Sequence, residues 1–125
     1  GKNMFSFHVG ENPTMTMGYY DKSKFKGDIH WSPIEYKYMF GIKLDDIKVG
    51  GKRLNICKGQ ESCLATVDSG SSVNMFPAFA QKVMHEANLP STKGVKCKKP
   101  EDYGDLTLIL NGKEFIIPNQ EWVYN

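Results

Sequence analysis

Apolar residues recur at every second position along much of this chain. Phe5, Phe7 and Val9 fall on one side of an extended segment, Met15 and Met17 on another, and the longest series runs Tyr36, Tyr38, Phe40, Ile42, Leu44. Side chains two apart share a face of a strand, so this period predicts strands with one covered face. Turn residues separate the runs. Glu11-Asn12-Pro13-Thr14 ends the first, and Gly27-Asp28 leads into Ile29-His30-Trp31, which Ser32-Pro33 closes. Ile47-Lys48-Val49, Gly50-Gly51 and Lys52-Arg53-Leu54 read as a hairpin. Residues 106–110, Asn111-Gly112 and residues 113–117 give the strongest local signal, because Asn-Gly supplies both positive-φ positions of a type I′ turn. Helical spacing is confined to residues 77–88, where Phe79, Val83 and Ala87 lie four apart with Ala80 and Met84 beside them. Pro77 suits a first helical turn, Asn88-Leu89-Pro90 a stop, and Gln81, Lys82, His85 and Glu86 the solvated side. The expected class is all-β, mainly antiparallel, with one or two short helices, and no repeat or linker divides the chain.

Composition narrows this reading. Over 125 residues, 40% hydrophobic and 24% charged content suits a packed core rather than disorder. Sixteen Lys+Arg against fourteen Asp+Glu leave a net +2, too near neutral for a nucleic-acid arm or a polybasic membrane anchor. No apolar run approaches the roughly 20 residues of a membrane helix. Arg53 is the only arginine, which excludes bidentate clamping by several. Gly1-Lys2-Asn3 lacks an initiator Met and a signal-peptide core, and Trp122-Val123-Tyr124-Asn125 reads as the start of a strand, so both ends are expected to be cut points.

Most catalytic patterns fail. His8, His30 and His85 stand far apart without a second ligand at metal spacing, and each reads as a surface or structural histidine. Ser72 lacks the second glycine of a nucleophile elbow, no Gly-rich loop precedes the helix, and Pro13 cancels the Asn12 sequon. Asp45-Asp46 and Glu101-Asp102 read as exposed turns, since adjacent strand residues face opposite ways. One segment differs. Cys63-Leu64-Ala65-Thr66-Val67 runs directly into Asp68-Ser69-Gly70-Ser71-Ser72, a carboxylate followed by a tight turn of small hydroxyl residues. Gly70 lets an amide approach the carboxylate, and the serines offer hydroxyl donors that stabilise its ionised form. The same spacing equally describes an Asx- or Ser-turn in which Asp68 serves only local amides.

The Asp68 segment resembles the second active-site motif of pepsin-like aspartic proteases, Asp-Thr/Ser-Gly-Thr/Ser at the end of an apolar strand. The resemblance spans nearly the whole chain in order. Phe5-Ser6-Phe7 matches the opening of the family's C-terminal lobe. Gly18-Tyr19-Tyr20-Asp21 with Phe25-Lys26-Gly27-Asp28-Ile29 follows its next passage, and Tyr38-Met39-Phe40 stands where the family has Tyr-Trp. Ser72-Val73-Asn74-Met75-Phe76-Pro77 is similar to the approach to the family's post-motif helix, and residues 106–122 to its later hairpin.

Residues 1–125 are thereby expected to form part of a C-terminal lobe, incomplete at its C-terminal side, of an aspartic endopeptidase. The Lys-rich composition would suit a plasmepsin-like member. The resemblance implies that Asp68 is one of two catalytic aspartates sharing a proton and activating a water. Ser69 would brace the active-site loops, Gly70 would hold the inner carboxylate oxygen and Ser71 the outer, and Thr66 and Ser72 would touch substrate. It implies a Cys57–Cys63 disulfide, and hence a secretory, vacuolar, lysosome-like or extracellular location. Cys97 stands where the family pairs with a later cysteine, or is an ordinary free thiol. No metal or organic cofactor is implied. The partners are a peptide or protein substrate and the N-terminal lobe, which carries the second aspartate and the flap, with no nucleic acid and no membrane span. One such motif is present, so the isolated chain is expected to be inactive. The alternatives are a homodimer in which two copies each lend Asp68, and a non-catalytic binding module.

Overall fold

The computed structural model describes residues 1–88 and 98–123. Leu89, Pro90, Cys97, Tyr124 and Asn125, each used above, lie outside the described residues. The chain forms two units, residues 1–30 and 31–125.

In the first unit, β1 (Phe5–His8) and β2 (Thr14–Met17) pair antiparallel with Phe5 opposite Met17 and Phe7 opposite Met15. Gly18 N–H donates to Met4 O at 2.8 Å and Lys2 N–H to Gly18 O at 2.9 Å, extending the ribbon. Asp21 caps the turn Lys22–Lys24, accepting from Ser23 N–H at 2.9 Å and Ser23 Oγ–H at 2.7 Å. The hydroxyl bond, then the amide bond, hold its carboxyl below the usual range. Ile29-His30-Trp31 does not form the expected strand. The run is too short, bracketed by Gly27 at φ 76° and by Pro33, which has no N–H to give.

The second unit is built on one long strand, β4 (Gly41–Val49). Its first half pairs with β3 (Ile34–Tyr36) and β6 (Leu64–Thr66), its second half with β5 (Lys52–Arg53) and β7 (Leu106–Leu110), and β8 (Lys113–Ile117) extends the sheet beyond β7. All these pairings are antiparallel. Both expected hairpins form. Gly50 and Gly51 turn at φ 56° and 79°, and Asn111 and Gly112 at φ 45° and 84°, the left-handed region their turns demand.

The long alternating series does not make one strand. Lys37–Met39 is a helical turn, Phe40 sits at φ 50°, and β4 begins only at Gly41. Tyr36 pairs with Gly41 across this hairpin, so closely that a Cβ on Gly41 would stand 3.0 Å from Tyr36 Cβ. Tyr36, Tyr38 and Phe40 are exposed, so their alternation marks a hairpin tip rather than a covered face.

Leu44, Ile47, Val49, Leu54, Leu106 and Leu110 form the core with one helical face. That face comes from the turn Ala78–Ala80 and α1 (Gln81–Glu86), which bury Ala80, Val83 and the following Ala87. Phe79, expected on the same stripe, is exposed because it lies in the tighter opening turn, off the α-helical spacing. Trp122 ends a helical turn, α2 (Asn119–Trp122), rather than starting a strand. Asp105 accepts Asn119 N–H at 3.0 Å, and the Trp122 indole N–H reaches Gly104 O at 3.2 Å. These contacts satisfy the first amide of the turn and fix the Trp122 side chain.

Candidate active site

β6 is fastened to β4 before the chain reaches Asp68. Leu64, Ala65 and Thr66 pair with Lys43, Ile42 and Gly41, and Leu44 N–H donates to Cys63 O at 2.9 Å. The Cys57–Cys63 disulfide, with Cα atoms 5.5 Å apart, closes the loop that enters β6, and both cysteines pack against the core. The Asp68 turn therefore leaves a rigid edge.

Asp68 is exposed. Gly70 N–H donates to Asp68 Oδ1 at 2.9 Å, and Ser71 N–H closes the turn on Asp68 O at 3.2 Å. A Cβ at position 70 would stand 3.2 Å from Asp68 Oδ1, so glycine is what admits this approach. Ser71 departs from the expectation. Its Oγ–H donates to Val73 O at 2.9 Å, a local carbonyl two residues on, and not to the carboxylate. Ser69 and Ser72 are exposed on the same turn, and Thr66 is exposed at the end of β6. The structure thus gathers Thr66, Asp68, Ser69, Gly70, Ser71 and Ser72 on one short segment, with one carboxylate oxygen fixed by an amide. An amide bond to one carboxylate oxygen orients the group for proton exchange or for a cation, and by itself performs neither.

The acid pair Asp45-Asp46 lies inside β4 and not in the expected exposed turn. Leu44 opposes Leu110 and Asp46 opposes Ile109, so Asp45 is the extra residue of a β-bulge. The bulge gives the two acids separate tasks. Asp45 Oδ2 accepts Gly112 N–H at 2.7 Å, which with Lys43 at 3.2 Å holds its carboxyl below the usual range against partial burial. Asp46 is 2% exposed and accepts from Ile47 N–H at 2.8 Å and Ile56 N–H at 3.2 Å. Two acids inside an apolar run, between Leu44 and Ile47, were the available signal. Glu101 and Asp102 do lie in an exposed turn, Pro100–Asp102.

Among the described residues, no group of three or more His, Cys, Asp or Glu side chains is arranged to hold a metal ion. No helix among them is long and apolar enough to cross a membrane.

The sequence model of the eukaryotic aspartyl protease family matches residues 1–125. The chain belongs to that family. Among relatives, it is 30% identical to cathepsin E of Oryctolagus cuniculus, over 91% of this chain and 31% of the relative. It is 29% identical to cathepsin D of Gallus gallus over 98% of this chain and 33% of the relative. Gastricsin of Suncus murinus is 26% identical, over 98% and 34%. This aspartyl protease family chain thus spans about a third of the length of the curated relatives it matches. Its antiparallel sheets and short helices fit a pepsin-like lobe fragment.

Proposed function

We propose that this chain is part of the C-terminal lobe of an aspartic endopeptidase and that Asp68 is one of its two catalytic carboxylates. The observation that carries the reading is the Gly70 amide set 2.9 Å from Asp68 Oδ1, at the end of β6, in a chain matched along its length by the family. Two carboxylates sharing a site do not both ionise cheaply, so one keeps a proton while the other takes one from the attacking water. The Gly70 amide holds one oxygen of Asp68, Ser69 braces the turn against the opposing loop, and Ser71 stiffens it through Val73. Thr66 and Ser72 border the substrate, a peptide or protein. No metal or organic cofactor takes part.

The second aspartate comes from the N-terminal lobe, outside this sequence, and this chain alone is inactive. Because the dyad works with one proton retained, the enzyme is most active at acid pH. The Cys57–Cys63 bond belongs to an oxidising compartment, which agrees with a secretory, lysosome-like or extracellular enzyme. The fifteen lysines and single arginine are the ground for a plasmepsin-like member. The test is Asp68→Asn in the protein that carries both lobes. Its peptide-cleavage kcat is expected to fall by about two to four orders of magnitude with little change in KM. Retention of activity would overturn the assignment.

A further inference from the structure

We propose that Asp46 is a positioning residue for the Asp68 turn, a buried clamp acting on the loop 57–63 in parallel with its disulfide. Asp46 is 2% exposed, and a buried carboxylate persists only where donors meet it. Its Oδ1 takes two backbone donors, Ile47 N–H at 2.8 Å and Ile56 N–H at 3.2 Å. Ile56 directly precedes Cys57. At the other end of the loop, Cys63 O accepts Leu44 N–H at 2.9 Å. Both ends of the loop are therefore tied to one short stretch of β4, one by a side chain and the other by the backbone. The chain then runs straight from Cys63 into β6 and Asp68.

The second oxygen is not part of the clamp. Oδ2 is buried without a hydrogen bond, and Arg53 Nη1 lies 3.7 Å away on a side chain that is 57% exposed. The chain's only arginine thus stands at ion-pair distance from that oxygen, a solvent-screened contact that adds little to the two amide bonds at Oδ1. The role toward catalysis rests on the reading of Asp68 given above. The clamp itself does not.

Hydrogen exchange on this chain tests the clamp. In Asp46→Ala, the Ile56 and Leu44 amides are expected to exchange roughly tenfold faster, which corresponds to about 1.4 kcal/mol. Leu106 and Leu108 of β7 are expected to stay within about twofold. Asp46→Asn, which keeps an acceptor at Oδ1, restores most of the protection. Reducing the disulfide in the unmodified chain leaves these amides protected, whereas reduction of Asp46→Ala releases them. Unchanged Ile56 exchange, an equal loss in β7, or release by reduction alone would each overturn the proposal. Should Asp46→Ala fail to fold by circular dichroism, Asp46→Leu, which fills the buried site without an acceptor, decides: faster Ile56 exchange with β7 unchanged supports the clamp, and unchanged exchange rejects it. In the two-lobed protein, Asp46→Ala lowers kcat with KM steady and Asp46→Asn restores it. Exchange does not depend on proteolysis, so a failed clamp and a failed Asp68 assignment are separate results.

Discussion

An alanine at position 70 would carry its Cβ to 3.2 Å from Asp68 Oδ1, tighter than an ordinary carbon–oxygen contact. Either the amide or the carboxylate has to retreat by a few tenths of an ångström, and the 2.9 Å bond that orients Asp68 is lost or lengthened. On the catalytic reading proposed for Asp68, Gly70→Ala in the two-lobed parent which that reading entails is expected to lower kcat about tenfold, because misplacing a reacting group by a fraction of an ångström is costly. Its unfolding midpoint should stay close to that of the unmodified protein, because the turn is exposed. A kcat within twofold, checked by steady-state peptide hydrolysis, would show that the amide contact is only a local turn. This is the alternative that the spacing of Asp68 and Gly70 always allowed. The two readings share the same hydrogen bond and differ only in consequence.

At the scale of elements, β4 organises the second unit, and its bulge decides what its acids do. Asp45 ties β4 to the turn between β7 and β8 through the Gly112 amide at 2.7 Å. That bond lowers the folded-state carboxyl below its unfolded value, so the folded form binds its proton less readily. The resulting stabilisation is complete above the unfolded carboxyl range and disappears as pH falls through the folded value. Asp45→Ala is therefore expected to cost about 1 kcal/mol at neutral pH, as read by urea unfolding. The two proteins should converge in strong acid, and a difference that does not shrink on acidification would contradict the role given to the charge. Leu54, fully buried just past β5, is the core's hold on that hairpin. Leu54→Ala should cost about 2–5 kcal/mol, measured in the same way, and a smaller loss would mean that the site collapses readily.

What the sequence revealed and what it hid follow the same division. The Gly50-Gly51 and Asn111-Gly112 hairpins were legible because a turn that demands positive φ is a local requirement, written in the residues that meet it. The face of Val83 and Ala87 was legible because its period matches the helix that buries it. The series from Tyr36 to Leu44 misled because aromatic residues at an exposed hairpin tip repeat with the same period as a covered strand face. The tasks of Asp45 and Asp46 were hidden because they depend on a bulge, which only the pairing with β7 creates. Asp68 could be singled out from its neighbours, but the partner of the Ser71 hydroxyl could not, since a nearby carbonyl competes with the carboxylate for it.

At the scale of the whole molecule, the proposed mechanism needs two aspartates. The chain has the family's sequence along its length yet spans about a third of its relatives, and it carries one Asp-Ser-Gly turn. A shared proton needs a second carboxylate facing the first, from another lobe or from a second copy of this chain across a two-fold axis. The proposed account assigns it to the other lobe. Acid-pH peptide cleavage by this chain alone, beside its Asp68→Asn variant and with the oligomeric state measured in the same buffer, tests this most directly. The account predicts a monomer with no cleavage above that of the variant. Cleavage by a dimer that the variant loses would contradict it and make the chain a self-sufficient protease.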